Sequence, residues 1–382
     1  GEIFEVTNGD FQKNSLRIFG YDYTHEKLKG LRDLVLNAQT LYAYKLTSGG
    51  QKAANDLAEA RYCGVRGNDL RIVVQVNADN ENLFDVQTYL GVALVDEQTA
   101  AAAADLQDND FVKFKPAATV GMNLTGGTNG EVSGLSHQNY LDKIEAYTYN
   151  TMGVVVEDAV TKGLYAAFVK RLRDEMGIKF QLVLHNLAAD YPGTINVKND
   201  VLDEGWSQAS LVYWVTGASA GCEVNRSCQN RKYDGEFTVA ADYTQNELKK
   251  AIKAGEFTLH KVGADIRVLA DINSMVTTSD TQGEIFQENQ TVRVIDQIGN
   301  DIAVLFNTKY LGVVPNDAAG RISLWSDIVK HHEQLQEIRA IENFSDADVT
   351  VEPGSSKKSV VVKDLVTVVN AMSKLYMTVT VA

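Results

Sequence analysis

Histidine and acidic side chains are the residues of this sequence that could act as general acids and bases. The largely apolar run Phe180–Leu184 predicts a buried strand, and His185 is the last residue of that strand. Asp190 follows His185 closely in the sequence. Loops at the ends of such strands carry the active sites of doubly wound sheets. A hydrolase-like site near His185 and Asp190 is therefore one hypothesis. A structural histidine that caps a strand explains the same pattern without chemistry, and it is the interpretation that we prefer.

The other candidate sites lack the spacing that their chemistry requires. His331, His332 and Glu333 are consecutive, and neighbouring side chains on a helix point about 100° apart, so the two histidines cannot bind one metal ion together. The sequence has no HExxH motif of zinc proteases. Its one GxSxG string, GASAG at Gly217–Gly221, lies in a stretch predicted as helix and not at the strand-to-helix turn that a nucleophile elbow of serine hydrolases requires. Asp271 belongs to an Asp-Ile-Asn turn and has no acidic partner for acid–base catalysis. We predict no catalytic residue, no metal site and no cofactor, and we do not expect an enzyme.

Cysteines and a glycine-rich stretch complete the candidates. Cys63 stands alone, whereas Cys222 and Cys228 lie six residues apart. This odd, irregular set predicts structural thiols in a protein made in a reducing compartment. Residues 121–136 are rich in glycine but lack both phosphate-binding patterns, GxxxxGK[ST] and GxGxxG. The stretch is interpreted as a linker, and a ligand-binding α/β protein that uses it is a further alternative.

Composition excludes several classes of partner. The 382 residues are 45% hydrophobic and 23% charged, which is typical of a folded protein. A net charge of −14 argues against broad binding to nucleic acid or to anionic membranes. No apolar run approaches the roughly 20 residues that a membrane span needs, and no stretch has the pattern expected of a signal peptide. We therefore expect neither nucleic-acid binding nor membrane insertion.

The elements predicted along the chain divide it into three domains of an α/β multidomain protein. Residues 1–50 and 131–277 alternate helices with buried strands, which predicts a doubly wound α/β domain. Residues 51–130 hold short strands, among them Leu70–Val76 and Phe84–Leu90, which predict an inserted small β-sandwich or barrel. Residues 278–382 predict a C-terminal α+β domain.

The C-terminal domain ends in a segment with strong strand character. Helices are predicted at Val292–Phe306 and, after a turn at Pro315–Asp317, at Ser323–Glu342. Strands are predicted at Lys358–Lys363 and Leu375–Val381. The last of these alternates and runs to the end of the sequence, so it is a possible sheet edge.

The stretch Leu211–Val239 is the most distinctive part of the sequence. A bulky apolar helical turn is followed by Gly217 and Gly221, four residues apart, which would let another backbone approach the helix closely. Tyr233-Asp234-Gly235 is a turn signal before a short strand. A tightly packed helix followed by an extended hairpin is typical of a surface that a chain presents to a neighbour.

Five segments, in order along nearly the whole chain, resemble the contractile-tail sheath proteins of long-tailed bacteriophages, prophages and phage-tail-like bacteriocins. They are Gly64–Leu70 (GVRGNDL), Trp214–Gly221 (WVTGASAG), Tyr233–Glu236 (YDGE), Val268–Asn273 (VLADIN) and Lys374–Val379 (KLYMTV). Thr216 and Cys222 stand where the family tends to have smaller residues.

The resemblance implies a subtilisin-like α/β domain without protease activity and a structural role. Family members form a helical sheath of stacked hexameric rings around an inner tube, and contraction drives the tube through a bacterial envelope. The implied partners are other copies of the chain, the inner tail tube protein, and the baseplate and tail terminator proteins. The implied location is the virion tail or a phage-tail-like particle, after synthesis in the host cytoplasm.

The resemblance also implies where the assembly residues lie. Terminal arms of such proteins add strands to the C-terminal domains of neighbouring subunits. We expect the inter-subunit strand at Leu375, Tyr376, Met377, Thr378, Val379, Thr380 and Val381. The tube-facing helix is expected at Ser323–Glu342, with Lys330, His331, His332 and Arg339; a solvated helix packing through Leu324, Ile328, Leu335 and Ile338 is weighed evenly against it. The inserted β domain is expected on the outer face.

The sequence begins at Gly1 without a methionine. We expect upstream residues to provide the second assembly arm, and we expect the chain without them to fold but not to assemble. A heterologous array needs both contact surfaces of each subunit for growth.

Overall fold

The computed structural model describes residues 1–115 and 122–381. The chain divides into two compact units, Gly1–Leu28 with Gln39–Thr148, and Lys29–Ala38 with Tyr149–Ala382. The domain boundaries given by the sequence, 1–50 plus 131–277, 51–130 and 278–382, stay a prediction.

Helices and strands alternate over much of the described chain. The helices are α1 (Asn8–Phe19), α2 (Lys29–Val35), α3 (Gly134–Ile144), α4 (Ala159–Asp174), α5 (Leu211–Ala220), α6 (Gln245–Lys253), α7 (Asn289–Leu305) and α8 (Ala318–Glu337). The strands are β1 (Ile3–Thr7), β2 (Thr40–Tyr44), β3 (Ala58–Ala60), β4 (Leu70–Val76), β5 (Phe84–Leu90), β6 (Ala93–Ala100), β7 (Val112–Phe114), β8 (Thr151–Gly153), β9 (Gln181–His185), β10 (Thr194–Val197), β11 (Glu256–Phe257), β12 (Leu259–Val262), β13 (Asp265–Val268), β14 (Ile341–Glu342), β15 (Val349–Pro353), β16 (Val360–Asp364) and β17 (Thr367–Val368).

The described residues of the first unit form three small antiparallel sheets. Strand β1 pairs with β2 in one, strands β4, β5 and β6 make a second sheet, and β3 pairs with β7 in the third, the latter two sharing one core. Alternate residues of β5, namely Val86, Thr88 and Leu90, are buried, as expected for strands with one face toward a core. The shared core is made by small and branched side chains, including Leu57, Ala58, Leu70, Ile72, Val86, Leu90, Val112 and Leu124. Strands β4 and β5 have the predicted bounds.

The glycine-rich stretch pairs with this β part of the first unit. Its predicted start, Gly121, lies outside the described residues. Farther along, single antiparallel bridges join it to the segment before β3, at Ser48↔Glu131, Gln51↔Thr128 and Ala54↔Thr125. The linker interpretation is wrong for this part, because its backbone groups find partners in the strand-like segment beside them.

A four-stranded parallel sheet lies at the centre of the second unit. Its order is β11-β10-β9-β8, so the strands follow chain order without the reversal that defines a doubly wound sheet. Every residue of β9 and β10 is buried, as predicted for parallel strands. Helix α5 covers this core with Leu211, Val212, Trp214, Val215 and Ala218.

The C-terminal part of the second unit combines two long helices with two small antiparallel sheets. Strand β14 pairs with β17, and β15 pairs with β16. Helix α8 begins after Asp317, whose side chain accepts a hydrogen bond from the Gly320 N–H at 2.8 Å. It ends at Glu337, before the predicted end, because Arg339 has a left-handed backbone with φ of 61°.

The predicted strand Leu375–Val381 is not a strand in this structure. Residues 369–381 have no assigned secondary structure. Strand character alone does not make a strand, because its backbone groups need a partner edge. The assembly role predicted for the segment is taken up below.

Helix α2 lies directly against the small face of helix α5. A Cβ atom on Gly217 would lie 2.1 Å from the Leu34 carbonyl oxygen, and one on Gly221 would lie 2.0 Å from that of Asn37. Both distances are far inside the roughly 3.5 Å at which nonbonded atoms meet. The predicted close approach is confirmed. The expectation that this stretch presents a surface is wrong for α5, since Trp214 is fully buried.

The YDGE segment closes the same contact through hydrogen bonds. Tyr233 donates its hydroxyl to Asp33 at 2.7 Å, and Asp33 also accepts from the Glu236 N–H at 2.7 Å. Glu236 holds the Arg32 guanidinium through two bonds of 2.6 and 2.7 Å. Asp234 accepts from the indole N–H of Trp214 at 2.8 Å. The turn thus binds both α2 and α5.

Substitution Gly217→Ala is expected to destabilise the protein by about 1–3 kcal/mol, because the methyl group must displace the backbone of α2. Urea denaturation measures the change. Gly163→Ala in α4 is the matched control, since nothing lies within 4 Å of its added Cβ, and it should stabilise the helix by about 0.5–1 kcal/mol. Equal stability of the two variants would contradict the close-contact argument.

Burial raises the pKa of Asp33 to about 6, despite the hydrogen bonds from Tyr233 and Glu236 that lower it. The folded protein therefore holds this proton more tightly than the unfolded chain, where aspartate titrates near about 4. We expect the free energy of unfolding to fall as pH rises from about 4 to about 6, by up to roughly 3 kcal/mol. Asp33→Asn should remove this part of the pH dependence in urea titrations, and an unchanged slope would refute the assignment.

Candidate assembly site

The C-terminal segment is fixed to the second unit up to Ala371. Val369 donates its N–H to the Ala340 carbonyl oxygen at 3.0 Å. The Gln290 side chain donates to the Val369 carbonyl oxygen at 3.1 Å and accepts from the Ala371 N–H at 2.9 Å. Asn370 donates to the Thr291 hydroxyl at 3.0 Å. The start of α7 therefore holds the point from which the segment leaves.

Beyond Ala371 the segment exposes a row of large apolar side chains. Tyr376 is 89% exposed, and the others of this row are Met372, Leu375, Met377, Val379 and Val381, all at least 72% exposed. In an extended chain, Leu375, Met377, Val379 and Val381 would share one face, with Tyr376, Thr378 and Thr380 on the other. Contiguous apolar surface of this kind marks an interaction site.

Two sheets of the same region have open edges. Ile341 pairs with Val368 in one, and Val349 pairs with Asp364 in the other. Both sheets are two-stranded among the described residues, so each strand has one edge whose N–H and C=O groups face no strand. Such edges can accept an added strand.

Of the four residues predicted to face the tube, two are exposed and two are wholly or partly buried. Lys330 is exposed on the helix, and Arg339 is exposed beyond its end. His331 lies 2.9 Å from Asp301 through Nε2. His332 is fully buried, with Nε2 2.8 Å from Asp364 and Nδ1 3.0 Å from the Ile328 carbonyl oxygen. His332 therefore connects α8 to β16 and has no surface to offer in this structure.

The apolar side chains that the sequence assigned to the packed face of α8 are largely where it placed them. Leu324, Ile328 and Leu335 are buried, whereas Ile338 is 46% exposed. Ile338 lies just past the end of the helix, so the helical periodicity no longer fixes its direction.

The structure does not bring His185 and Asp190 together as a site. His185 is buried at the end of β9 and its Nε2 lies 2.9 Å from Asp200. Burial lowers the pKa of His185, although Asp200 opposes this effect. Asp190 instead accepts hydrogen bonds from Thr277 and from the Val276 N–H, which lower its pKa. Each residue has a structural partner of its own.

Asp271, which the sequence places in a turn, is the acidic residue of a buried ion pair. It accepts from Arg293 of α7 at 2.6 Å, from the Cys228 N–H at 2.9 Å and from Asn289 at 3.0 Å. Its pKa is lowered even though burial opposes ionisation, because Arg293 and these donors favour the charged form. The VLADIN segment is thereby fixed to the start of α7. In the sequence only a turn signal and the VLADIN resemblance mark Asp271, and neither indicates an ion pair.

No group of three or more histidine, cysteine, aspartate or glutamate side chains among the described residues could hold a metal ion. None of their helices combines the length and apolarity required to cross a membrane.

Comparison with known proteins gives one consistent result. Family models match as the phage tail sheath protein beta-sandwich domain at residues 48–129, the phage tail sheath protein central domain at 130–274 and the phage tail sheath C-terminal domain at 281–382. The phage-like element PBSX protein XkdK of Bacillus subtilis is 31% identical over 391 residues, covering 92% of this chain and 84% of XkdK. A tail sheath protein of Clostridium phage phiCD119 is 28% identical over 218 residues, 56% of this chain and 60% of that protein.

Solved structures agree over almost the full length. The sheath tail protein of Desulfitobacterium hafniense is 34% identical, with a TM-score of 0.85 over 98% of this chain and 91% of that one. The sheath tail protein of Listeria innocua is 29% identical, with a TM-score of 0.85 over 97% and 89%. This chain belongs to the phage tail sheath protein family, as the resemblance predicted, and the β-sandwich prediction is confirmed.

More distant structures share the fold. A sheath complex of an extracellular contractile injection system in its contracted state has a TM-score of 0.51 at 13% identity, covering 67% of this chain and 77% of that one. The fold of this chain is therefore also found in contractile injection systems.

Proposed function

We propose that this chain is the structural subunit of a contractile tail sheath, which polymerises as stacked hexameric rings around an inner tube. Contraction of the sheath would drive the tube through a bacterial envelope. Membership of the sheath family supports this function. The observation in this structure that carries it is the exposed apolar segment Leu375–Val381, which leaves a domain with open sheet edges.

In this proposal the segment joins subunits by adding a strand to a neighbour. The anchor at Val369–Ala371 fixes where it starts, and the residues from Met372 to Val381 could reach roughly 30 Å when extended. Backbone hydrogen bonds to an open edge would give affinity, and the apolar face of Leu375, Met377, Val379 and Val381 would cover apolar surface beside that edge. Exposed Val361 and Val362 of β16 offer such surface.

A strand link of this type suits a sheath that changes length. Main-chain hydrogen bonds hold the arm in its neighbour while the rest of each subunit rotates, because the extended residues between anchor and added strand absorb the change of angle. The central α/β domain would be a subtilisin-like scaffold without protease activity. Inner tail tube, baseplate and tail terminator proteins would be the further partners, in the virion tail or a phage-tail-like particle.

We also propose that the exposed end of α8 faces the inner tube. Lys330 and Arg339 supply exposed positive charge there, in a chain whose overall charge is −14. The two cations lie among the exposed carboxylates of Glu333, Glu337 and Glu342, so each would pair singly with an acidic group of the tube surface and help to orient the subunit there. His331 and His332 would support the shape of this end through Asp301 and Asp364.

Substitution Met377→Pro tests the added strand. Proline removes one backbone donor and cannot join the interior of a sheet, so tubes or stacked rings should disappear in negative-stain electron microscopy. Met377→Ala is the matched control, because it shortens the side chain and keeps the N–H. Both variants should melt as the parent monomer does, since Met377 is 75% exposed.

The parent protein in this test is expressed in two forms. One is residues 1–382, and the other adds any residues that its gene encodes before Gly1. Assembly by the Met377→Pro variant equal to that of its parent would refute strand addition. If no form of the parent makes rings or tubes at high concentration, the sheath function itself is contradicted.

Charge reversal at Lys330 and Arg339 tests the tube-facing surface. The double variant Lys330→Glu, Arg339→Glu should still form sheath polymers with itself but should co-sediment several-fold less with preformed inner tubes. Raising the salt concentration should weaken tube binding by the parent, because exposed charges are screened. The difference in tube binding between the parent and the double variant should therefore become smaller. Lys357→Glu with Lys358→Glu, in the exposed turn between β15 and β16, is the control. Unchanged tube binding by the first variant would contradict the proposed orientation.

A further inference from the structure

A cavity of about 500 Å³ opens beside the end of helix α5, and a cysteine lies in its wall. Its lining includes Ser219 of α5, Cys222 just after that helix, Arg293 and Gln297 of α7, and Gln181 of β9. Cys222 is half-buried, so small reagents can approach its thiol from the cavity. The sheath function proposed above uses none of these side chains.

A second thiol lies next to the first. Cys228 lies six residues after Cys222. It is buried, and its Sγ lies 3.5 Å from the carbonyl oxygen of Ala218 in the last turn of α5. The Cys222 Sγ lies 3.6 Å from the carbonyl oxygen of Arg226 in the loop that joins the two cysteines. One thiol on the cavity and one buried thiol therefore both lie at the end of α5.

The Arg293 guanidinium supplies a buried positive charge beside this pair. Its Nη2 donates to Asp271 at 2.6 Å and to the Arg226 carbonyl oxygen at 3.1 Å. Its Nε and Nη1 are buried and have no hydrogen-bond partner among the described residues. Unsatisfied buried donors of a charged group are costly and call for a physical explanation. A thiolate at Cys222 would provide a negative charge for them.

The pKa values of the two thiols are shifted in opposite directions, as thiol–disulfide exchange with one attacking thiol requires. The neighbouring Cys228 thiol and the charge of Arg293 lower the pKa of Cys222, against the opposing effects of burial and Asp271. The Cys222 thiol and burial raise the pKa of Cys228 well above its usual value. Access from the cavity and the lowered pKa both favour Cys222 as the attacking thiol, and burial favours Cys228 as the thiol that reacts second.

We propose that Cys222 and Cys228 form a reversible intramolecular disulfide when the folded protein meets a low-molecular-weight disulfide, with Cys222 as the attacking thiol and Arg293 as its stabilising cation. The Cys222 thiolate attacks one sulfur of the reagent, the reagent's S–S bond breaks, and one reagent thiolate leaves. Cys228 then loses its proton and attacks the Cys222 sulfur, which releases the second reagent thiolate. Two protein thiols are oxidised and one reagent disulfide is reduced to two thiols.

The disulfide would act on a loop that connects several elements of the second unit. Asn225, between the two cysteines, donates to the Ile338 carbonyl oxygen at the end of α8 at 2.8 Å. Arg226 contacts Arg293 of α7 through its carbonyl oxygen. Closing the ring Cys222–Cys228 would restrict this loop where it meets both helices of the C-terminal part. Oxidation of the two cysteines would therefore change the loop through which α5 contacts α7 and the end of α8.

The experiment treats the folded, reduced chain with oxidised glutathione near neutral pH and maps the cysteines by mass spectrometry. We expect a peptide pair joined by Cys222–Cys228, with Cys63 remaining free or only slowly modified. The Cys228→Ser variant has no second thiol to attack the mixed disulfide formed at Cys222. Cys222 should therefore accumulate as a mixed disulfide with glutathione. In Cys222→Ser, buried Cys228 should stay unmodified.

Alkylation by iodoacetamide provides a second readout that does not depend on the disulfide geometry. Cys222 should react about tenfold faster than Cys63 in the folded protein, because thiolates and not thiols are nucleophiles. All three cysteines should react at similar rates in denaturant, which is the baseline. Failure of Cys222 and Cys228 to join under excess oxidised glutathione, or alkylation of Cys222 no faster than that of Cys63, would overturn the proposal.

Discussion

The close contact between helix α2 and helix α5 is the constraint on which the second unit depends. Gly217 and Gly221 let the carbonyl oxygens of Leu34 and Asn37 approach to distances that exclude any Cβ atom. The Tyr233–Glu236 turn then closes the contact through Asp33 and Arg32. Helix α5 also covers the parallel sheet, so a shift of this helix would disturb both the sheet and the loop that leads to α7.

The C-terminal part combines firm anchoring with an exposed end. Asp271 and Arg293 fix α7 to the VLADIN segment, His332 and Asp364 join α8 to β16, and Gln290 holds the chain at Val369. Beyond this anchor the row from Leu375 to Val381 is exposed. The single chain therefore leaves apolar surface and open sheet edges uncovered, and association with further copies would cover both.

Features encoded in short stretches of sequence could be predicted, whereas long-range pairs could not. The spacing of Gly217 and Gly221 predicts a close helix contact. The short strand-like runs Leu70–Val76 and Phe84–Leu90 predict the bounds of β4 and β5. The partners of His332 and Asp271 lie 32 and 22 residues away, and no local periodicity indicates them. Asp317 was predicted as part of a turn, although it also caps α8. The segment Leu375–Val381 has strand character, yet its partner edge is not supplied by the arrangement of this one chain.

We propose above that the C-terminal segment becomes a strand of a neighbouring subunit. Cryo-electron microscopy of the assembled particle would trace the path of the chain after Ala371. We expect Leu375–Val381 to pair with an open edge of the β14–β17 or β15–β16 sheet of an adjacent copy. A segment that is disordered in the assembled sheath, or folded back onto its own chain, would show that it does not link subunits.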